Sequence, residues 1–139
     1  MYLPRSFRQD NMDEMKVMIM AHPFATLVTS SSHGIEANHI PLILTEEAKG
    51  EYLLRGHIAR ANPLGNSNVL VIFQGPNGYV SPKYYPTKKE HGKVVPTWNY
   101  VAVHVRGELT FIDDDSWRLE MLDMLTQQYE SRKNTLVGK

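Results

Sequence analysis

The sequence predicts a mainly β domain, an antiparallel barrel of six or seven strands with one helix at each end. Three observations predict it. Apolar residues alternate with period two in several short runs bounded by Gly, Pro, Asn and Ser; the 3.6-residue period is confined to one segment near each terminus; and no strand–helix–strand alternation lies between them. The chain of 139 residues fits one domain, 1–139, able to bury roughly two-thirds of its unfolded surface.

Asp10 is read as the N-cap of a first helix running to His22, with Asp13 and Glu14 in the first turn and Met12, Met15, Ile19 and Met20 near one face. Pro23 ends it. Strands follow at Phe24 to Ser30 and, after a turn at Ser31 to Gly34, at Ile35 to Leu44; a Glu-Lys-Gly loop leads to a third at Glu51 to Ile58, giving a meander. In the second strand Ile40, Leu42 and Leu44 face the core, and Ala37, His39, Pro41 and Ile43 face away. Pro41 cannot donate to a ladder, which places it at an edge or a bulge. A helical turn at Ala59 to Asn62 halts at Pro63, and Asn68 to Gln74, apolar on both faces, reads as a central strand. Gly75 to Gly78 read as a tight connection to Tyr79 to Ser81, and the loop Pro82 to Lys93 leads to a long strand, Trp98 to Ile112. Asp113 to Asp115 and Ser116 cap a last helix whose apolar set is Trp117, Met121, Leu122, Met124 and Leu125. The polar tail after Tyr129 is expected to be loose.

Composition removes several classes of function. Fifteen basic and fifteen acidic residues balance to zero net charge, so nucleic acid is not an expected partner on electrostatic grounds. Without cysteine there is no disulfide, thiolate nucleophile or cysteine-held metal, so any redox chemistry must come from a bound cofactor. No secretory leader and no apolar run near the ~20 residues of a membrane span occur, which makes a cytoplasmic protein without membrane contact the expectation. Carboxylate dyads, G-x-S-x-G, P-loop and G-x-G-x-x-G patterns and metal-ligand spacing are all missing. Lys83, Lys88, Lys89 and Lys93, interleaved with Tyr84 and Tyr85, form a patch able to meet a phosphate backbone, although Glu90 dilutes it and a solvated loop accounts for it.

The segment Val94 to Gly107, VVPTWNYVAVHVRG, carries the clearest functional pattern. Val101, Val103 and Val105 share one face, and Trp98, Tyr100, Ala102, His104 and Arg106 share the other. An indole, a phenol, an imidazole and a guanidinium side by side suit a planar ring with an anionic tail; Trp98 and Tyr100 also suit a dimer interface. His57-Ile58-Ala59-Arg60 is a strand running into a helical turn, a layout that offers backbone N–H groups and a cation to a phosphate. The same layout suits a solvated arginine beside a capping histidine.

HIARANP, GPNGYVSP and VPTWNY followed by AVHVRGEL, with MYLPRSF at the start, resemble the PaiB-type family of FMN-binding negative transcriptional regulators. That family is a branch of the flavin split barrels related to pyridoxamine-phosphate oxidase. The resemblance extends to about Tyr129 and departs in two places. Gly65 and Asn66 follow ANPL where the family usually carries tryptophan, and Asn77-Gly78 replace its usual His-Ala, removing an imidazole that would titrate near neutrality. The family also continues beyond the position where this chain stops. The resemblance implies an FMN-binding split barrel, Greek-key-like and homodimeric, with flavin in the groove between subunits. It implies a phosphate site at Arg60, with His57 and the Ala59 amide; ring contacts from Trp98, Asn99 and Tyr100; further contacts from His39 and Leu42; and Tyr79 and Ser81 on the substrate side. It implies a regulator of protease synthesis and sporulation genes, with DNA contact only by resemblance. An FMN-dependent oxidoreductase acting on a small molecule is the alternative, and a structural dimer with a decayed site a third.

Overall fold

The computed structural model describes residues 1–86, 92 and 94–137, without the side chains of 132–137. Helix α1 (Met12–Ala21) precedes β1 (Phe24–Ser31), β2 (Gly34–Pro41), β3 (Ile43–Glu46), β4 (Tyr52–Arg55), β5 (Ser67–Val80) and β6 (Thr97–Leu109), and α2 (Asp115–Val137) ends the described chain. All described strand pairs are antiparallel. The mainly β class with a helix at each end is therefore the one the sequence predicts. Asn11 rather than Asp10 caps α1: its side-chain oxygen accepts from the N–H groups of Asp13 at 2.9 Å and Glu14 at 3.3 Å, while Asp10 is held by Arg8 at 2.6 Å. At the other end α2 continues through the segment expected to be loose. No proline or glycine interrupts it before Gly138.

The strands form a four-stranded sheet in the order β2-β1-β5-β6 and a separate β3-β4 hairpin. β1 and β2 turn at Gly34, whose φ of +114° favours a residue without Cβ. The expected meander is broken beyond this hairpin. The strand expected over 35–44 splits at Leu42, whose N–H donates to the carbonyl of Pro23 at 3.0 Å, and the chain leaves the β1 ladder for β3. β5 takes the vacant side of β1, from Thr26↔Ile72 to Thr29↔Val69, which gives the Greek-key-like order. The central position expected for Asn68 to Gln74 is the observed one. The turn expected at Gly75 to Gly78 is instead a β-bulge: Gln74 pairs with Ala102 and Asn77 with Tyr100, leaving one extra residue on β5. Pro76, with no N–H to donate, falls in this irregularity.

The main core gathers Ile19 of α1 with Ala25, Leu27, Leu42, Val71 and Phe73. A second cluster sets Met121 and Leu125 of α2 against Ile43. β3 therefore works on both sides: Leu42 and Leu44 face the main core, and Ile43, read as facing away, is covered by α2. α1 is also fastened to the β3-β4 hairpin by Lys16, whose Nζ lies 3.5 Å from Glu46 and 4.8 Å from the centre of the Tyr52 ring. Among the described residues, no helix is long and apolar enough to cross a membrane.

β4 stops at Arg55, short of the expected Ile58, because Gly56 passes directly over the β2–β3 bend. A Cβ on Gly56 would sit 2.6 Å from Leu42 Cδ2 and 3.0 Å from the Pro41 carbonyl oxygen. Gly56→Ala is expected to cost about 1–3 kcal/mol in thermal or urea unfolding, whereas Gly65→Ala, with nothing within 4 Å of its Cβ, should be neutral or stabilise by up to about 1 kcal/mol. Equal effects of the two changes would contradict this close approach. A hydrogen bond with Tyr52, then the Glu46 charge, raise the Lys16 ammonium above its ordinary 10.5. Its contribution is thus complete below that value and fades as pH rises through the higher folded pKa. Lys16→Met should flatten the alkaline limb of a stability–pH curve and leave its shape near neutrality unchanged.

Candidate functional site

Pairing register divides the four-stranded sheet into two faces. Ala25, Leu27, Val71 and Phe73 point inward and are buried. The opposite face carries His39–Thr26–Ile72–His104 across one row and Ala37–Val28–Leu70–Arg106 across the next. α1 packs into the main core and α2 on Ile43, so among the described residues no helix covers this outer face. An antiparallel sheet with one face in water ordinarily makes that face polar; here Val28, Leu70 and Ile72 occupy its centre.

Beyond the bulge the same face becomes aromatic. Tyr79 pairs with Trp98 and Asn77 with Tyr100; the Tyr79 and Trp98 rings are 6.2 Å apart at 53°. Trp98 Nε1 donates to Asn77 Oδ1 at 3.0 Å, which fixes the indole although it is 61% exposed. The face predicted for Trp98, Tyr100, Ala102, His104 and Arg106 is therefore the outer one. Val103 and Val105 pack on the main core as expected, but Val101, opposite the bulge, is 49% exposed. Asn99 pairs with Gly78 on the alternate face of β6. Ser81 lies past β5, where its hydroxyl accepts from the Lys83 N–H at 3.4 Å. His39 shares the outer face, its Nδ1 3.2 Å from Thr26 Oγ1. Lys88, Lys89 and Lys93 of the expected basic patch lie outside the described residues.

The predicted phosphate turn is at the other end of the sheet. The Ala59 carbonyl accepts from Asn62 N–H at 2.9 Å; the Asn62 amide donates to Asn38 Oδ1 at 3.1 Å and accepts from Leu64 N–H at 3.2 Å. These bonds tie the turn to β2. Asn66 Oδ1 accepts from Phe111 N–H at 3.1 Å, tying the following loop to the segment after β6. Arg60, 82% exposed, lies 3.6 Å from Asp113, and Arg118 reaches the same carboxylate at 3.5 Å and Asp115 at 2.7 Å. Asp114 caps α2 through Trp117 N–H at 2.9 Å. Two guanidinium groups thus converge on one exposed carboxylate beside the turn. Sequence reasoning missed Asn38, Asn62, Asn66, Asp113 and Arg118 as parts of this corner. The asparagines beside Pro63 and Gly65 are the signal that was available.

The ladder from Ser67↔Leu109 to Tyr79↔Trp98 is roughly 35 Å of strand at ~3.3 Å per residue, and Arg60 is paired with Asp113, past the Leu109 end of it. A cavity of about 550 Å³ lies between the two sheets, with Leu27, Leu44, Leu54, Val71 and Val105 in its walls. His57 and the buried Leu42 line it; Trp98, Tyr100, Tyr79 and Arg60 do not. No cluster of His, Asp and Glu among the described residues could hold a metal ion.

A family model described as "Putative FMN-binding domain" matches residues 1–137. The chain belongs to this FMN-binding family. The resemblance carried by HIARANP and VPTWNY thus extends through the described chain, and FMN is the cofactor it specifies. Protease synthase and sporulation protein PAI 2 of Bacillus subtilis is 32% identical over 142 residues, covering 99% of this chain and 66% of the relative. An uncharacterized protein of Saccharomyces cerevisiae is 33% identical over 157 residues, covering 96% of this chain and 92% of the relative. One of Emericella nidulans is 34% identical over 161 residues, with 94% and 64% covered. The chain therefore spans less than two thirds of the length of the Bacillus and Emericella relatives.

Proposed function

We propose that the protein binds FMN as a cytoplasmic homodimer of split-barrel type, with the two halves of each flavin site supplied by different subunits. The separation of Arg60 from Trp98 carries this reading: roughly 35 Å along a strand exceeds what one FMN molecule can span. Stacking the outer sheet faces of two copies about an axis across the strands brings the aromatic end of one copy toward the Arg60 corner of the other. It also buries Val28, Leu70 and Ile72.

The residues fit the cofactor. Trp98, held by Asn77, presents a fixed aromatic face to a planar ring. His39 and Tyr79 extend that face. Arg60 is exposed, and with His57 and the Ala59 amide it offers charge and donors to the phosphate. When bound, FMN supplies a redox centre that the side chains lack. Asn77 accepts from Trp98 and does not titrate, so it holds the indole and moves no proton. We read the output as regulatory, as the resemblance to the PaiB-type regulators implies, with flavin state as the signal. With fifteen basic and fifteen acidic residues, direct operator binding is not expected.

Arg60→Ala should weaken FMN by roughly 10- to 150-fold, the loss of a charge-assisted hydrogen bond, and leave riboflavin, which has no phosphate, unchanged. Equal loss for both ligands would make Arg60 structural. Asp113→Asn should strengthen FMN by about 1.5- to 5-fold, because it removes an exposed carboxylate that competes for Arg60 and Arg118; weaker binding would place the phosphate elsewhere. Trp98→Ala should weaken both ligands alike. In light scattering the flavin-loaded protein should run as a dimer, and a loaded monomer would defeat the two-subunit site.

A further inference from the structure

Ile72 ties the outer sheet face to two imidazoles. It lies between Thr26 and His104 in one paired row, and Thr26 pairs on its other side with His39. Residues directly opposite in an antiparallel pair have Cβ atoms ~4.5–5.5 Å apart, so a second copy that buries Ile72 also covers His104. That imidazole is already half-buried in the single chain. His39 is exposed, but its ring is fixed: Nδ1 lies 3.2 Å from Thr26 Oγ1, and the centre of the Phe24 ring is 6.2 Å away.

The charges on this face can be named strand by strand. Over the paired rows, β1 and β5 carry no ionisable side chain on it. β2 carries His39 alone, because Glu36 shares the row of the buried Thr29 and points the other way. β6 carries His104, Arg106 and Glu108. Beyond the bulge, Tyr79 and Tyr100 add phenols, which ionise well above neutrality, and His33 sits in the β1–β2 turn outside the paired rows. Both helices pack elsewhere.

Arg106 and Glu108 cancel, so the face is uncharged while the two imidazoles are neutral and gains a positive charge for each one protonated. A two-fold axis across the strands keeps β6 over β6 of the second copy. Protonated His104 would then meet the same cationic strand, with Val28, Leu70 and Ile72 supplying no compensating charge.

We propose that association of the two copies, and with it the two-subunit flavin site, is gated by protonation of His39 and His104. This rests on the dimer reading above and adds its regulation. Imidazoles change charge between about pH 5 and 8. Covering the face favours the neutral rings, so the dimer binds fewer protons than two free chains. By linkage, association is strongest above the titration of the free chains and is lost as pH falls through it. A flavin held by both subunits is released with the dimer on acidification.

Sedimentation equilibrium of the full chain in saturating FMN, from about pH 8 down to about pH 5.5, tests the gate beside a chain carrying both His39→Gln and His104→Gln. The dissociation constant of the unaltered dimer should be level near the alkaline end and rise at least about tenfold per pH unit at the acid end, one linked proton or more of a possible four. The double variant should stay dimeric and lose most of that rise, and each single change should take away part of it. The FMN phosphate and His57 are common to all these chains, so the difference between the curves belongs to the outer-face imidazoles. A dimer whose constant stays level over the range, or a rise that the double variant keeps in full, would overturn the gate and leave the dimer standing. A loaded monomer at the alkaline end would remove the dimer and the gate together.

Discussion

The constraint on which the rest of the molecule depends is that β5 is apolar on both faces. Val71 and Phe73 point inward and are buried, while Leu70 and Ile72 point outward. A strand of this kind must sit between neighbours, so β1 pairs with it across a long sequence gap rather than with β3. The displaced segment becomes a separate hairpin, and β3 then carries two packing surfaces, one for the main core and one for α2. The inward face of β5 organises the core, and its outward face leaves an apolar surface that no helix covers among the described residues.

That division accounts for what was legible in the sequence and what was not. Period two placed Trp98, Tyr100, His104 and Arg106 on one face because alternation along a strand is a local property. The bulge at Gly75 was not local. GPNG is a turn signal by composition, and it becomes a bulge only because β6 is long enough to keep pairing on both sides of it. The break at Leu42 has the same origin: its N–H is diverted to Pro23, a contact between segments that no pattern in either one announces.

The candidate site was legible residue by residue but not as an assembly. His57, Ala59 and Arg60 stand out from a strand running into a turn, and Trp98 and Tyr100 from their shared face. Nothing in the spacing of 60 and 98 along the chain says that they occupy opposite ends of one sheet. Register fixes the Trp98 end, through Tyr79↔Trp98, and the Arg60–Asp113 pair puts the turn beside the segment that follows the other end of β6. The partners of Arg60 were hidden for a similar reason, since Asp113 reads as helix-capping charge until the fold brings the turn beside it.

Zero net charge and an uncharged outer-face centre favour association with an identical surface over capture of a charged polymer. A four-stranded face roughly 19 Å wide at ~4.8 Å per strand and about 26 Å long over the eight residues of β1 at ~3.3 Å per residue offers about 500 Å², less than the about 800 Å² per partner of a standard interface. Aromatic residues at its end and a flavin held between copies would enlarge the buried area. In the proposed dimer the two would be linked: whatever free energy FMN gained from touching both subunits would appear equally as tightening of the dimer. In that arrangement flavin occupancy would change the assembly itself and give the protein a state that other molecules can read.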